Sequence, residues 1–226
     1  MYHSQLAMGA VMADADGWQL PVQYGDAVQE AAYLRETVGV SDVSPLGKVR
    51  VVGADASQAV AVLLAKATEQ TVGTVSEAGS AFEGGGKLLS ACLAPDEFLV
   101  LTPTGMASSA SNTIQSSDPV CAHAVDVTSG LCAVSLVGPA THDLLSRITE
   151  LDASPAALPD LSCVQSRFSD VQGLLVRRDV NGIPIYHLYA SREFGEYLWE
   201  ALIDSAKEVG GGPAGTDALL GLRERD

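Results

Sequence analysis

Four histidines, His3, His123, His142 and His187, are the side chains here best placed to move protons near neutral pH. They lie far apart in sequence, and none pairs at metal-ligand spacing. His187 is the most interesting, because it alternates with Tyr186 and Tyr189 in a strand-like run. A histidine without a partner group is first a hydrogen-bonded structural residue, and His123 in CAHAV reads the same way. There is no Gly-x-Ser-x-Gly elbow and no His-Glu-x-x-His helix. FEGGGKLLS, residues 82–90, looks superficially like a phosphate loop. It lacks the Gly-x-x-x-x-Gly-Lys spacing and a Ser or Thr after Lys87. Cys92, Cys121, Cys132 and Cys163 show no Cys-x-x-Cys spacing and have apolar neighbours, so they read as reduced core residues. No metal is expected.

The elements that would position such groups need a core, and composition supplies one. Of 226 residues 47% are hydrophobic and 18% charged, enough for one large domain or two small ones. The net charge of -15 argues against nucleic acid and anionic membranes as partners. No run reaches the roughly 18 apolar residues of a membrane span. The N-terminal stretch has no Lys or Arg and a broken apolar run, unlike a secretory signal, so a cytoplasmic protein is expected.

Asp26 predicts an N-cap for a helix over residues 27–38, with Gly39 as its stop. GKVRVVG predicts a strand with Val49 and Val51 on one face, followed by a helix capped by Asp55. GGGKLLSACLAPDEFLVLTP predicts a hairpin turned at APDE. The serine-rich tract MASSASNTIQSSD fits a helix or a loop. VCAHAVDVT and LCAVSLVG predict strands, and Pro139 sits in the first turn of a helix. CVQSRFSDV, GLLVRRDV and IPIYHLYA predict three more strands, the last two joined at Asn181-Gly182. In EFGEYLWEALIDSA, helical spacing puts Phe194, Leu198, Ala201 and Leu202 on one face with Trp199 beside it. VRVVGADASQAVAVLL and AVSLVGPATHDLLSRI echo each other as strand, glycine, capped helix. Frequent hairpins argue for an α+β fold with antiparallel sheets, and the echo suits two sub-domains.

The segment GWQLPVQYGD, a capped helix, and VSDVSPLGKVRVVGADA together resemble the start of the aminomethyltransferases, the T-protein family of the glycine cleavage system. That family shows Gly-Trp-x-x-Pro-x-x-Tyr, then Asp-Val-Ser-His-Met-Gly-Lys. DVTSGLCAVSLVGPATHDLLSRIT, LVRRDVNGIPIYHLYASREFGEYLWEAL and GGPAGTDALLGLRE match later family segments in order and spacing. By this resemblance Trp18, Pro21 and Tyr24 anchor the N-terminal segment. The resemblance implies a sub-domain of residues 1–48 plus 127–226 with residues 49–126 inserted, and no third, β-rich C-terminal domain. In length and degeneracy the chain also resembles the γ subunit of heterotetrameric sarcosine oxidases.

The family binds tetrahydrofolate and transfers a one-carbon unit to it. Such chemistry needs a carboxylate near the reacting nitrogen, acceptors for the pterin and cations for the glutamate tail. The family's Gly-Gly-x-x-Asp-Asp-Leu stretch falls on GGKLLSACL, which puts Leu89 and Ser90 at the aspartates, and residues 84–95 contain no acid. The pterin-binding glutamate falls on His187, the helix arginine on Thr216, and the His-Met pair on Pro45-Leu46. Three readings follow. The chain is a folate-fold subunit with a degenerate site, completed by a partner in place of the missing domain. Or it is an active transferase with a site rearranged around Asp179, Tyr186 and His187. Or it binds another, more apolar small molecule in the same cavity, lined by Leu46, Leu89 and Cys92.

Overall fold

The computed structural model describes residues 1–15, 17–65, 71–79, 87–117 and 121–223. The glycine run 84–86 lies outside them. A short helix, α1 (Tyr2–Ala7), leads into a two-stranded sheet, β1 (Val11–Ala15) and β2 (Trp18–Gln23). The Trp18–Pro21 segment, featureless by periodicity, is therefore a strand. Asp26 caps α2 (Ala27–Glu36) as expected, accepting from the Val28 amide at 2.9 Å. Gly39 does not stop that helix. It opens β3 (Gly39–Asp42), where a Cβ would lie 2.3 Å from the Leu34 side chain.

β4 (Gly47–Val52) leads through Gly53 into α3 (Ala56–Leu64). Asp55 precedes α3 but makes no side-chain cap bond; its carboxylate accepts from the Cys121 amide at 2.9 Å. Then come β5 (Val75–Gly79), the hairpin β6 (Lys87–Ala94) and β7 (Glu97–Thr102), α4 (Ala107–Ser116) and β8 (His123–Asp126). The serine-rich tract thus resolves to a helix. Its buried Ala107, Ala110, Ser111 and Ile114 form one stripe.

β9 (Leu131–Val137) leads through Gly138 into α5 (Thr141–Ile148). Pro139 lies in the turn before that helix rather than in its first turn. β10 (Ser162–Phe168), β11 (Val171–Arg177), β12 (Ile185–Ser191), α6 (Gly195–Glu208), β13 (Gly212–Pro213) and α7 (Thr216–Arg223) complete the chain. The sequence echo has a backbone cause. Gly53 and Gly138 both have positive φ, 135° and 128°. A Cβ there would come within 2.0 Å of the Cys121 carbonyl or 2.4 Å of the Thr37 carbonyl, so only glycine fits either corner.

Contacts separate two compact units. The first, residues 1–43, 132–160 and 166–226, carries β11-β12-β9-β3-β13 and the end of β10, the edge strand next to β11. Its core includes Leu34, Val137 and Ala214, with Ile183, Ile185, Leu219 and Leu222 packed on them. The second, residues 44–131 and 161–165, carries β5-β6-β7-β4-β8. Val49, Val51, Leu88, Cys92, Phe98 and Val100 turn to one face of that sheet and meet α3 and α4. Each such buried side chain contributes about 1.5–3 kcal/mol. The short edge strand β8 is blunted from α4, where Ser111 Oγ and Gln115 Nε2 both donate to the Ala124 carbonyl at 3.0 Å.

Candidate functional site

In the first unit, the end of the β11–β12 hairpin gathers a charged cluster. Asn181 and Gly182 both have positive φ, 51° and 76°, which fits the tight turn read from their sequence. Register sets Arg177 opposite Tyr186, so the two share a face. The Arg177 guanidinium lies over the Tyr186 ring, 5.2 Å from its centroid. Its Nε and Nη2 donate to the two oxygens of Asp179 at 2.9 and 2.7 Å, and Nη1 donates to the Leu158 carbonyl at 2.7 Å. The Arg177 side chain is only 7% exposed. The bond to Asp179 raises its pKa above the ordinary value against the opposing effect of burial. Tyr186 is buried, and its hydroxyl donates to the Ala153 carbonyl at 3.1 Å. The Asp179 amide donates to Asp160 at 2.7 Å. The structure thus brings Asp179 and Tyr186 together, but around Arg177, which the sequence reading passed over. The clue lay in the run RRD, since Arg177 and Asp179 two apart lean to one side of an extended chain.

His187 points to the other face of β12 from Tyr186 and is half-buried, its ring centroid 6.3 Å from that of Tyr189. Thr216 is half-buried at the start of α7, beside exposed Asp217. Just before it, the Gly215 amide donates to Glu30 at 2.7 Å, and the same carboxylate takes the Tyr24 amide at 2.6 Å. Glu30 is 3% exposed, a buried acid the sequence reading missed because its helix reads as ordinary and amphipathic. Tyr24 stacks on fully buried Trp199, with centroids 6.2 Å apart at 20°. Burial first, then Asp42 and Glu30, push the Tyr24 hydroxyl far above its usual pKa. The anchoring expected of this segment has that stack as its physical content.

In the second unit, Ser90 and Cys92 are fully buried. Alternation puts Ser90 on the face of Leu88 and Cys92, opposite core residue Val100 and turned toward α3 and α4. Leu89 takes the other face at 8% exposure. Burial raises the pKa of the Cys92 thiol, and burial followed by Cys92 pushes that of Cys163 up to about 12. Leu46 is half-buried in the turn before β4, where its carbonyl accepts from Lys48 Nζ at 2.9 Å. Lys48 is fully buried, and its ammonium also donates to the Ser44 carbonyl at 2.7 Å. Among the described residues, no group of three or more His, Cys, Asp or Glu side chains could hold a metal ion. None of their helices is long and apolar enough to cross a membrane.

A family model described as the GCVT N-terminal domain matches residues 1–224. An aminomethyltransferase of Moorella thermoacetica is 25% identical over 228 residues, covering 99% of this chain and 62% of the relative. One of Saccharopolyspora erythraea is 28% identical over 225 residues, covering 96% and 60%. The chain spans about three-fifths of the length of these curated relatives. Among solved structures, the glycine cleavage system aminomethyltransferase T of Bartonella henselae superposes with a TM-score of 0.80 at 18% identity, over 98% of this chain and 60% of that one. A chain of a heterotetrameric sarcosine oxidase from a Corynebacterium species superposes with 0.64 at 20% identity, over 82% of this chain and 93% of that one. At these identities the two structures establish a shared α+β fold.

Proposed function

This chain belongs to the GCVT N-terminal domain family, and from that premise we propose that it is a non-catalytic or ligand-binding subunit of tetrahydrofolate-linked one-carbon metabolism. It serves an amine-demethylating or glycine-cleavage-like system. The observation that carries this reading is Ser90. Where the family resemblance calls for a carboxylate, this chain has a serine fully buried on the helix-covered face of β6 and a leucine on the other. A hydroxyl in the core supplies no fixed negative charge to a reacting nitrogen. These residues do not fit the folate chemistry of the family.

Two further observations support the reading. Asp179 and Tyr186, the groups on which a rearranged site would draw, are committed to Arg177 and to the Ala153 carbonyl. The match to most of one chain of a heterotetrameric oxidase fits a subunit working beside partners. The test is anaerobic calorimetric titration of the purified chain with tetrahydrofolate. No heat at high ligand is expected. Binding near micromolar, about -8 kcal/mol, together with turnover lost in His187→Ala, would overturn the reading in favour of an active transferase.

A further inference from the structure

Among the described residues the exposed large aromatics are Tyr2, Phe194 and Tyr197, at 44, 43 and 51%. All three belong to α1, α6 or the one-turn helix Arg192–Phe194 that leads into α6. Leu6, 42% exposed, lies one turn along α1 from Tyr2. The two helices are joined: the Ser4 hydroxyl lies 3.0 Å from Glu196 Oε1 and 2.8 Å from Glu200 Oε1. Helical spacing predicts Phe194 on the buried face of α6, but the structure exposes it and makes Trp199 the buried centre. Exposed apolar side chains scattered singly, such as Val28 or Val62, are ordinary; here they come in two pairs, Tyr2 with Leu6 and Phe194 with Tyr197, on helices tied to each other, and paired exposed apolar side chains suit a contact surface.

Charge selects the kind of partner. Residues 192–200 hold three acids, Glu193, Glu196 and Glu200, against one base, Arg192. A hydrogen bond from Ser191 holds the Glu193 carboxyl below its usual pKa, so it is charged at neutral pH. A second copy docking here by a two-fold axis would set this acidic rim against itself, on a chain of net charge -15. We propose that α1 and the start of α6 dock a protein partner whose contact face carries aliphatic anchors flanked by Arg and Lys. The proposal rests on the subunit reading above for the existence of a partner, and adds where and by what chemistry it binds.

The probe is a synthetic amphipathic helical peptide, leucines along one stripe and arginines on its flanks, with a twin bearing glutamates instead. Fluorescence anisotropy reads binding to the whole chain at low and physiological salt. The arginine peptide is expected to bind, and to weaken by about tenfold in Phe194→Ser/Tyr197→Ser. Glu196→Gln/Glu200→Gln should flatten the salt dependence. Val62→Ser, an equally open apolar site in the second unit, should change nothing. Circular dichroism checks that each variant folds, and Tyr197→Ser alone replaces the double variant if it does not. Equal binding of the glutamate twin, an equal effect of Val62→Ser, or no effect at residues 194 and 197 overturns the proposal. So does a dimer, seen by light scattering, that Tyr197→Ser dissolves, since it would assign the surface to a second copy. Tetrahydrofolate titration is a separate reading, so failure here and failure of the subunit reading are told apart.

Discussion

The end of the β11–β12 hairpin and the middle of β6 both face the question of what to do with polar groups under burial, and they answer it differently. At the hairpin, buried Arg177 and Tyr186 stay polar: Arg177 pairs with half-buried Asp179 and lies over the Tyr186 ring, and the Leu158 and Ala153 carbonyls take the spare donors. On β6, the stretch expected to carry aspartates has become Leu88, Leu89, Ser90, Ala91 and Cys92, all buried. A polar side chain survives burial when hydrogen-bond partners or an opposite charge stand within reach, and otherwise costs more than it returns. The hairpin keeps its charges in a structural role; the run on β6 is core.

Placing an acid on β6 is the strongest way to break that comparison. Ser90→Asp should cost on the order of 4 kcal/mol at neutral pH, because the new carboxylate enters an apolar face. Its pKa would rise on folding, so the loss should shrink as pH falls toward the unfolded value of about 4 and grow above it. Urea denaturation across pH reads both; a loss under about 1 kcal/mol would mean that water or a cation reaches Ser90. Next in size, Arg177→Ala should cost about 3 kcal/mol, since it leaves Asp179 and the Leu158 carbonyl without their partner. Asp179→Asn in that background should recover part of the loss. A gentler acid substitution, His187→Glu, should cost about 1 kcal/mol, because a half-buried position keeps some solvent. Equal losses at residues 90 and 187 would erase the distinction between the units.

The smallest effect concerns thiols. Cys121 is exposed while Cys92, Cys132 and Cys163 are buried, so one thiol should react quickly with a disulfide reagent under native conditions. The Cys163 pKa is raised to about 12 on folding, against about 8.5 unfolded. Its contribution to stability is therefore full below roughly pH 8.5 and lost as pH climbs toward 12. Fast reaction at neutral pH of Cys92 or Cys163 would show the second unit's core to be open, and of Cys132 the first unit's.

Much of the fold was legible because it rests on local rules. Asp26 sits where a helix needs an acceptor, Asn181-Gly182 where a tight hairpin needs positive φ, and the echoed glycines where two chain segments meet. Phe194 misled because helical spacing assumes that a helix already runs through it, whereas a one-turn 3-10 helix precedes α6 and changes its phase. Asp55 misled because a better donor, the Cys121 amide, arrives from 66 residues away. Gly39 misled for a similar reason: α2 ends before it, and the residue opens β3, where a Cβ would crowd the Leu34 side chain.

The sequence by itself determined the α+β class, the antiparallel strand order along the hairpins and the family, since hydrophobic period, turn chemistry and motif spacing are written residue by residue. Only the tertiary structure decided which polar side chains do what. Arg177 became the hub of a cluster, Glu30 the clamp on Tyr24 and Gly215, Lys48 a buried donor to backbone carbonyls, and Ser90 a core residue. The physical reason is that a charge or hydroxyl acts through the groups within about 3 Å of it and the water it has lost. Both are set by segments distant in sequence.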